Sequence, residues 1–144
     1  MIELIINKNN NKNITTFLNP FSYLLSRNNK AQLESFNIEI DGGILVLILN
    51  LFGFKCRRKS FDMTSLAPVV FNDAINNNKS IYIIGTKPKV IDLAIKNIKM
   101  QFPELRICGY CDGYINEGQR LLVFETINSL NADYVICGMG TPLQ

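Results

Sequence analysis

The sequence contains no histidine, and its 144 residues carry 15 lysines and arginines against 12 aspartates and glutamates. A formal net charge of +3 is too small for a nucleic-acid-binding domain, which gathers a strong basic excess on one face. Without histidine, a zinc centre would have to be assembled from cysteines and carboxylates. Only Cys108 and Cys111 have ligand-like spacing, with Cys56 and Cys137 remote from them. All four sit among apolar neighbours, so they read as reduced core thiols, and neither a metal nor any other cofactor is expected. A redox C-x-x-C pair opens a helix, whereas this one falls at a strand end.

Long apolar runs are also lacking. Residues 2–6 give way to Asn and Lys after too few apolar positions to make a signal-peptide core, which predicts a chain that stays in the cytoplasm. The most apolar stretch, residues 44–54, is well short of the roughly 20 needed to cross a bilayer and reads as a buried helix or strand. Two nucleotide fingerprints are missing as well. There is no G-x-x-x-x-G-K-[ST] P-loop and no G-x-G-x-x-G, which argues against kinase-like and NAD-dependent chemistry.

What is present is a 47% hydrophobic, 19% charged chain whose apolar residues come in short punctuated runs, as expected of one folded domain over residues 1–144. Residues 2–6 and 14–18, joined by an Asn-rich turn, predict a strand hairpin. Asn19-Pro20 sets an N-cap and a first helical position before Phe21, Leu24 and Leu25. Residues 35–40 extend into the turn Asp41-Gly42-Gly43, and Asp62 is expected to cap a helix running through Leu66 to Ile75. From Ser80 the pattern is regular: strands at 80–84, 105–109 and 134–137 alternate with helices that start at Pro88 and span 119–130. This predicts an α/β fold, a Rossmann-like, mostly parallel sheet flanked by helices, with an N-terminal strand hairpin and helix. The chain ends directly after the last strand's loop, where another helix is expected to cover the sheet, so a continuation is predicted to be missing.

Ligands of such sheets sit beyond the carboxyl ends of the strands, where four loops are predicted. Asp41, before two glycines, suits a general base and equally suits a helix cap. Gly85-Thr86-Lys87 lies between strand and helix, where backbone N–H groups and the helix dipole receive a phosphate, or where an ordinary turn stands. Asp112 and Tyr114 offer a carboxylate for a hydroxyl and an aromatic face, although Asp-Gly is also a common turn. Gly140 allows main-chain approach, and Gln144 carries an amide suited to hydroxyls or a uracil edge. The densest basic cluster, Lys55, Arg57, Arg58 and Lys59, is either a solvated turn or a contact to phosphate or anionic lipid.

Taken in order, Asp41-Gly42-Gly43, residues 57–62, Ile83-Ile84-Gly85-Thr86-Lys87-Pro88-Lys89-Val90, Gly109-Tyr110-Cys111-Asp112-Gly113-Tyr114 and Gly138-Met139-Gly140-Thr141-Pro142-Leu143-Gln144 resemble the bacterial WecG/TagA/CpsF glycosyltransferases. The resemblance covers nearly the whole chain and is most specific from Ser80 onward. It implies inverting, metal-independent transfer of N-acetylmannosamine or a related hexose from a UDP-sugar to an undecaprenyl-diphosphate-linked acceptor, at the inner face of the cytoplasmic membrane. By resemblance Asp41 is the catalytic base, Asn19 a sugar-site asparagine, Arg57 a crevice arginine and Gln144 the glutamine of the closing motif. Membrane contact through the missing C-terminal segment, and homo-oligomers in some members, are implied too. This chain departs from the family's usual Thr-Gly at Lys59-Ser60, and has Phe17, beside Thr16, where a threonine is frequent. The alternative is a truncated, non-catalytic nucleotide-sugar-binding module.

Overall fold

The structure, a computed structural model, describes residues 3–7, 14–28, 33–34 and 36–140. Strands β1 (Glu3–Asn7) and β2 (Ile14–Leu18) pair antiparallel with Ile5 opposite Thr15, forming the expected hairpin. Helix α1 (Pro20–Ser26) starts from Asn19, whose Oδ1 accepts from the Ser22 N–H at 2.9 Å while Ser22 Oγ accepts from the Asn19 N–H at 2.9 Å. Two orphan donors are thereby satisfied, and Pro20 stands where a missing N–H costs nothing.

Strand β3 (Asn37–Ile40) lies parallel to β2 and leads into α2 (Gly43–Leu51), then α3 (Leu66–Asn76). Strands β4 (Ser80–Gly85), β5 (Arg106–Cys111) and β6 (Tyr134–Gly138) alternate with α4 (Pro88–Gln101) and α5 (Glu117–Ser129). All six strands form one sheet in the order β3-β2-β1-β6-β4-β5. β4 is parallel to β5 and β6, and β1 is antiparallel to both β6 and β2. Five strands therefore point one way and only β1 runs against them.

Every residue of β4 is buried because helices cover both sheet faces, as its unbroken apolar run implies. Ile81, Ile83, Tyr134 and Ile136 face Ala67, Phe71, Ala74, Ile91 and Ile95 of α3 and α4. Tyr82, Ile84 and Val135 point the opposite way, onto Ile127 of α5. A relay of rings ties the two ends of the sheet together: Phe17 of β2 stands 6.4 Å from Phe61, Phe61 6.3 Å from Phe71, and Phe71 5.2 Å from Phe102. Full burial of a phenylalanine ring contributes about 1.5–3 kcal/mol, as at Phe17 and Phe71, and the partly buried Phe61 and Phe102 contribute less.

Three expectations are corrected. Asp62 does not cap α3, whose N-cap is Ser65; its Oδ1 instead accepts from the Thr64 N–H and from the Thr64 and Ser65 hydroxyls, closing the preceding turn. Helix α5 starts at Glu117, earlier than residue 119, because Asn116 and Gln119 form a capping box. Residues 44–51 are helical but not buried, since no residue of α2 is buried. An uncharged composition had implied an interior position; among the described residues, nothing covers the outer side of this helix.

Candidate functional site at the carboxyl edge of the sheet

Because β2 to β6 share one direction, their carboxyl ends deliver Asn19, Asp41, Thr86, Asp112 and Met139 to a single edge. Between the two groups of loops, β1 presents its amino end, with Glu3 in register with Gly138. The reversed β1 thus separates the loops that follow β2 and β3 from those that follow β4, β5 and β6 along this edge.

Three loops meet at the β4-β5-β6 side. The Thr86 N–H donates to the Gly138 carbonyl at 3.3 Å, and the Gly113 N–H donates to the Thr86 carbonyl at 2.9 Å. A Cβ on Gly85 would stand 2.5 Å from the Gly138 oxygen, and one on Gly113 would stand 2.8 Å from Met139 Cγ. The glycines are thus needed for loop-to-loop contact. Thr86 holds a left-handed φ of +54°, a strained conformation for a β-branched residue. Its N–H, expected to be open to a phosphate, is already engaged by Gly138. What remains for an anion here is the amino end of α4 with the exposed Lys87 and Lys89 side chains.

Asp112 is half-buried and its Oδ1 accepts from the Tyr114 N–H at 2.9 Å, which leaves the Tyr114 ring 60% exposed beside the edge. Gly140 has φ +75°, and a Cβ there would meet nothing within 4 Å among the described residues. Gln144 lies outside the described residues. Burial pushes the Cys137 thiol up to about 11 and raises that of Cys111, so both are protonated at neutral pH and poor nucleophiles.

At the other side, Asp41 does not cap α2, whose N-cap Gly42 receives no side-chain bond. Its backbone N–H donates to the Leu18 carbonyl at 2.8 Å, fastening the ends of β3 and β2 together. Its Oδ1 accepts from Arg58 Nε at 3.1 Å and lies 3.1 Å from Nη2, while Arg58 Nη2 also reaches Asp62 Oδ2 at 3.7 Å. No described group engages Asp41 Oδ2. Hydroxyl donors, Thr64 first, hold the Asp62 carboxyl far below the usual carboxylate range, so it stays ionised beside Arg58. Lys59 is anchored by its N–H to the Ile40 carbonyl at 2.9 Å and by Nζ to Glu39 at 2.7 Å. Arg57 is exposed, without an ion-pair partner among the described residues. Asn19 spends Oδ1 on its cap, leaving Nδ2 to donate elsewhere.

Sequence reasoning missed Arg58 as the partner of Asp41. It also missed the buried Thr16, whose Oγ1 has no partner among the described residues. Alternation along β2, which puts Thr16 on the face opposite Phe17, was the only available signal for the latter.

A Rossmann-like α/β sheet covered by helices on both faces, with polar residues and glycine turns gathered at one carboxyl edge, is the class of fold to which this chain belongs. The glycosyl transferase WecG/TagA/CpsF family profile matches residues 1–144, and the chain belongs to that family. It is 38% identical over 144 residues to UDP-Gal:alpha-D-GlcNAc-diphosphoundecaprenol beta-1,4-galactosyltransferase of Shigella boydii, covering 93% of this chain and 58% of that protein. It is 26% identical over 134 residues to N-acetylglucosaminyldiphosphoundecaprenol N-acetyl-beta-D-mannosaminyltransferase of Bacillus subtilis, covering 91% of this chain and 52% of that one. A protein of the same description from Bacillus spizizenii is 29% identical over 119 residues, covering 80% and 44%. The chain thus spans about half the length of these relatives.

Proposed function

We propose that this chain forms the donor-binding and base-bearing part of a glycosyltransferase that moves a hexose from a UDP-sugar to an undecaprenyl-diphosphate-linked N-acetylglucosamine. The observation that carries the reading is the common edge shared by Asp41, Asn19, Thr86 and Asp112. Asp41 and Thr86 stand four strands apart, which at sheet spacing is roughly 19 Å. That span suits an extended nucleotide diphosphate sugar better than a compact mononucleotide. Uridine would lie toward Asp112 and Tyr114, the diphosphate in front of the amino end of α4 within reach of the Lys87 side chain, and the hexose bonded to it would extend along the edge toward Asn19 and Asp41.

In this arrangement Asp41 Oδ2 takes the proton of the acceptor hydroxyl, whose oxygen attacks the anomeric carbon on the face opposite UDP; the bond to UDP breaks and configuration inverts. Arg58 holds Asp41 by its other oxygen, which fixes the direction of the free one. Negative charge grows on the departing diphosphate, where Lys87 and the dipole of α4 stabilise it. The relatives' names support either a galactosyl or an N-acetylmannosaminyl group, and the higher identity favours galactose.

Titrating UDP, UDP-galactose and UDP-N-acetylmannosamine into the chain, then assaying transfer to a lipid-linked N-acetylglucosaminyl diphosphate, tests the reading. Saturable UDP binding with transfer of one of the two sugars supports it. Binding with no transfer assigns the chain to a nucleotide-sugar-binding module, and absence of UDP binding removes the proposal.

A further inference from the structure

Helices of a folded domain turn their apolar side inward. Helix α2 is apolar on its outer side as well as on the side where Leu45, Val46 and Leu49 are partly buried. Ile44, Leu47, Ile48 and Leu51 recur at i, i+3, i+4 and i+7 and so form one stripe, and they are 75%, 61%, 44% and 79% exposed. Phe52 and Phe54, 78% and 62% exposed, prolong it beyond the helix end. No residue from 43 to 54 is charged, whereas Lys55, Arg57, Arg58 and Lys59 follow at once. Arg58 is taken by Asp41 and Asp62, and Lys59 by Glu39. Lys55 and Arg57 remain exposed and, among the described residues, have no ion-pair partner. Helix α1 adds Phe21, Leu24 and Leu25, each more than half exposed, and it begins against α2: a Cβ on Gly42 would touch Pro20 Cδ at 3.4 Å.

An outward apolar stripe that ends in uncompensated cations complements a surface that is apolar within and anionic at its rim. A second copy of the same stripe would bury the leucines but supplies no anion for Lys55 and Arg57. We propose that α2 and the Phe52-Gly53-Phe54 turn dock flat onto an anionic lipid bilayer, the stripe at the acyl boundary and Lys55 and Arg57 among the headgroups. The purpose of this docking rests on the lipid-linked acceptor proposed above. Asp41 immediately precedes the Gly42 cap of α2, so docking brings the candidate base to the surface in which such an acceptor is held.

Co-sedimentation of the 144-residue chain with vesicles tests the proposal. Phosphatidylglycerol-containing vesicles are expected to bind it at least about tenfold more tightly than pure phosphatidylcholine vesicles, and the difference shrinks as salt rises from about 0.1 to 0.5 M. The double variant Leu47→Gln, Leu51→Gln, at exposed positions outside the core, is expected to lose at least about tenfold in vesicle affinity with an unchanged melting temperature. Equal affinity for both vesicle types, or a double variant that binds like the parent, overturns the proposal. So does a concentration-dependent dimer that the double variant disperses while neither protein binds vesicles, since the stripe then belongs to a second copy. UDP titration of the same preparation keeps the two readings apart: a chain that binds UDP but ignores vesicles loses only the docking surface. One that binds vesicles but not UDP keeps the docking and loses the transferase reading.

Discussion

Arg58 grips Asp41 by one oxygen only: Nε and Nη2 both stand 3.1 Å from Oδ1. A guanidinium that engages one carboxylate oxygen with two donors fixes the plane of the carboxyl and leaves Oδ2 directed by default. The pair is half-exposed, so its effect on stability is small, about 0–1 kcal/mol. Its expected weight is in turnover. Arg58→Ala should lower transfer by about tenfold or more while moving the melting temperature little, and Arg58→Lys should restore part of the loss. Steady-state kinetics paired with thermal melts check this, and a loss of stability that matches the loss of rate would mark Arg58 as merely structural.

The glycine turns are held by different neighbours, and their substitutions should differ accordingly. A Cβ on Gly85 meets the Gly138 carbonyl, a backbone atom that cannot move without breaking the β4-β6 ladder. A Cβ on Gly113 meets the Met139 side chain, which is flexible. Gly85→Ala is expected to cost about 3 kcal/mol and Gly113→Ala about 1 kcal/mol in urea unfolding. Equal costs would mean that the loop junction is not packed as described.

Thr16 buries a hydroxyl with no partner among the described residues, whereas Val keeps its shape without the polar atom. Thr16→Val should therefore stabilise the fold by about 1 kcal/mol in the same unfolding measurement. A destabilised variant would show that the hydroxyl is satisfied.

Acid sensitivity has an identifiable contributor. Asp133 Oδ2 accepts from the Ser80 N–H at 2.8 Å and the Ser80 hydroxyl at 2.9 Å, and the backbone bond is the main cause that lowers its pKa below 3.8. Asp62 is lowered in the same direction by its hydroxyl donors. A depressed folded pKa means that the stabilisation is complete above the unfolded value, about 4, and is lost as pH falls through the folded one. Stability should thus decline below about pH 4. Asp133→Asn should lower it by about 1 kcal/mol at pH 7 and make the acid limb shallower, as read from melts across pH. An unchanged acid limb would remove Asp133 from this role.

The β-α-β-α-β run was legible because β4 is continuously apolar and ends in Gly85, and because Pro88 and the Asn116-Gln119 box punctuate the helices. The N-terminal hairpin was legible for a related reason, two apolar runs split by asparagines. Exposure of α2 was not, since an uncharged helix reads as interior whatever actually lies beside it. Nor was the choice of Arg58 as partner of Asp41. Arg57, Arg58 and Lys59 are three adjacent cations, and which of them reaches Asp41 is set by the Lys59-Ile40 backbone bond, a tertiary contact. The engagement of the Thr86 N–H by Gly138 likewise depends on which strand lies beside β4.

Asp41→Asn is the most direct probe of the site, measured as sugar transfer and UDP-sugar affinity on the same preparation with the lipid-linked acceptor. Amide in place of carboxylate keeps the shape and removes the proton acceptor, so turnover should fall by at least about a hundredfold while donor affinity stays within about threefold. Near-normal turnover with donor binding intact would show that another group removes the proton, and that the sheet edge works without its aspartate.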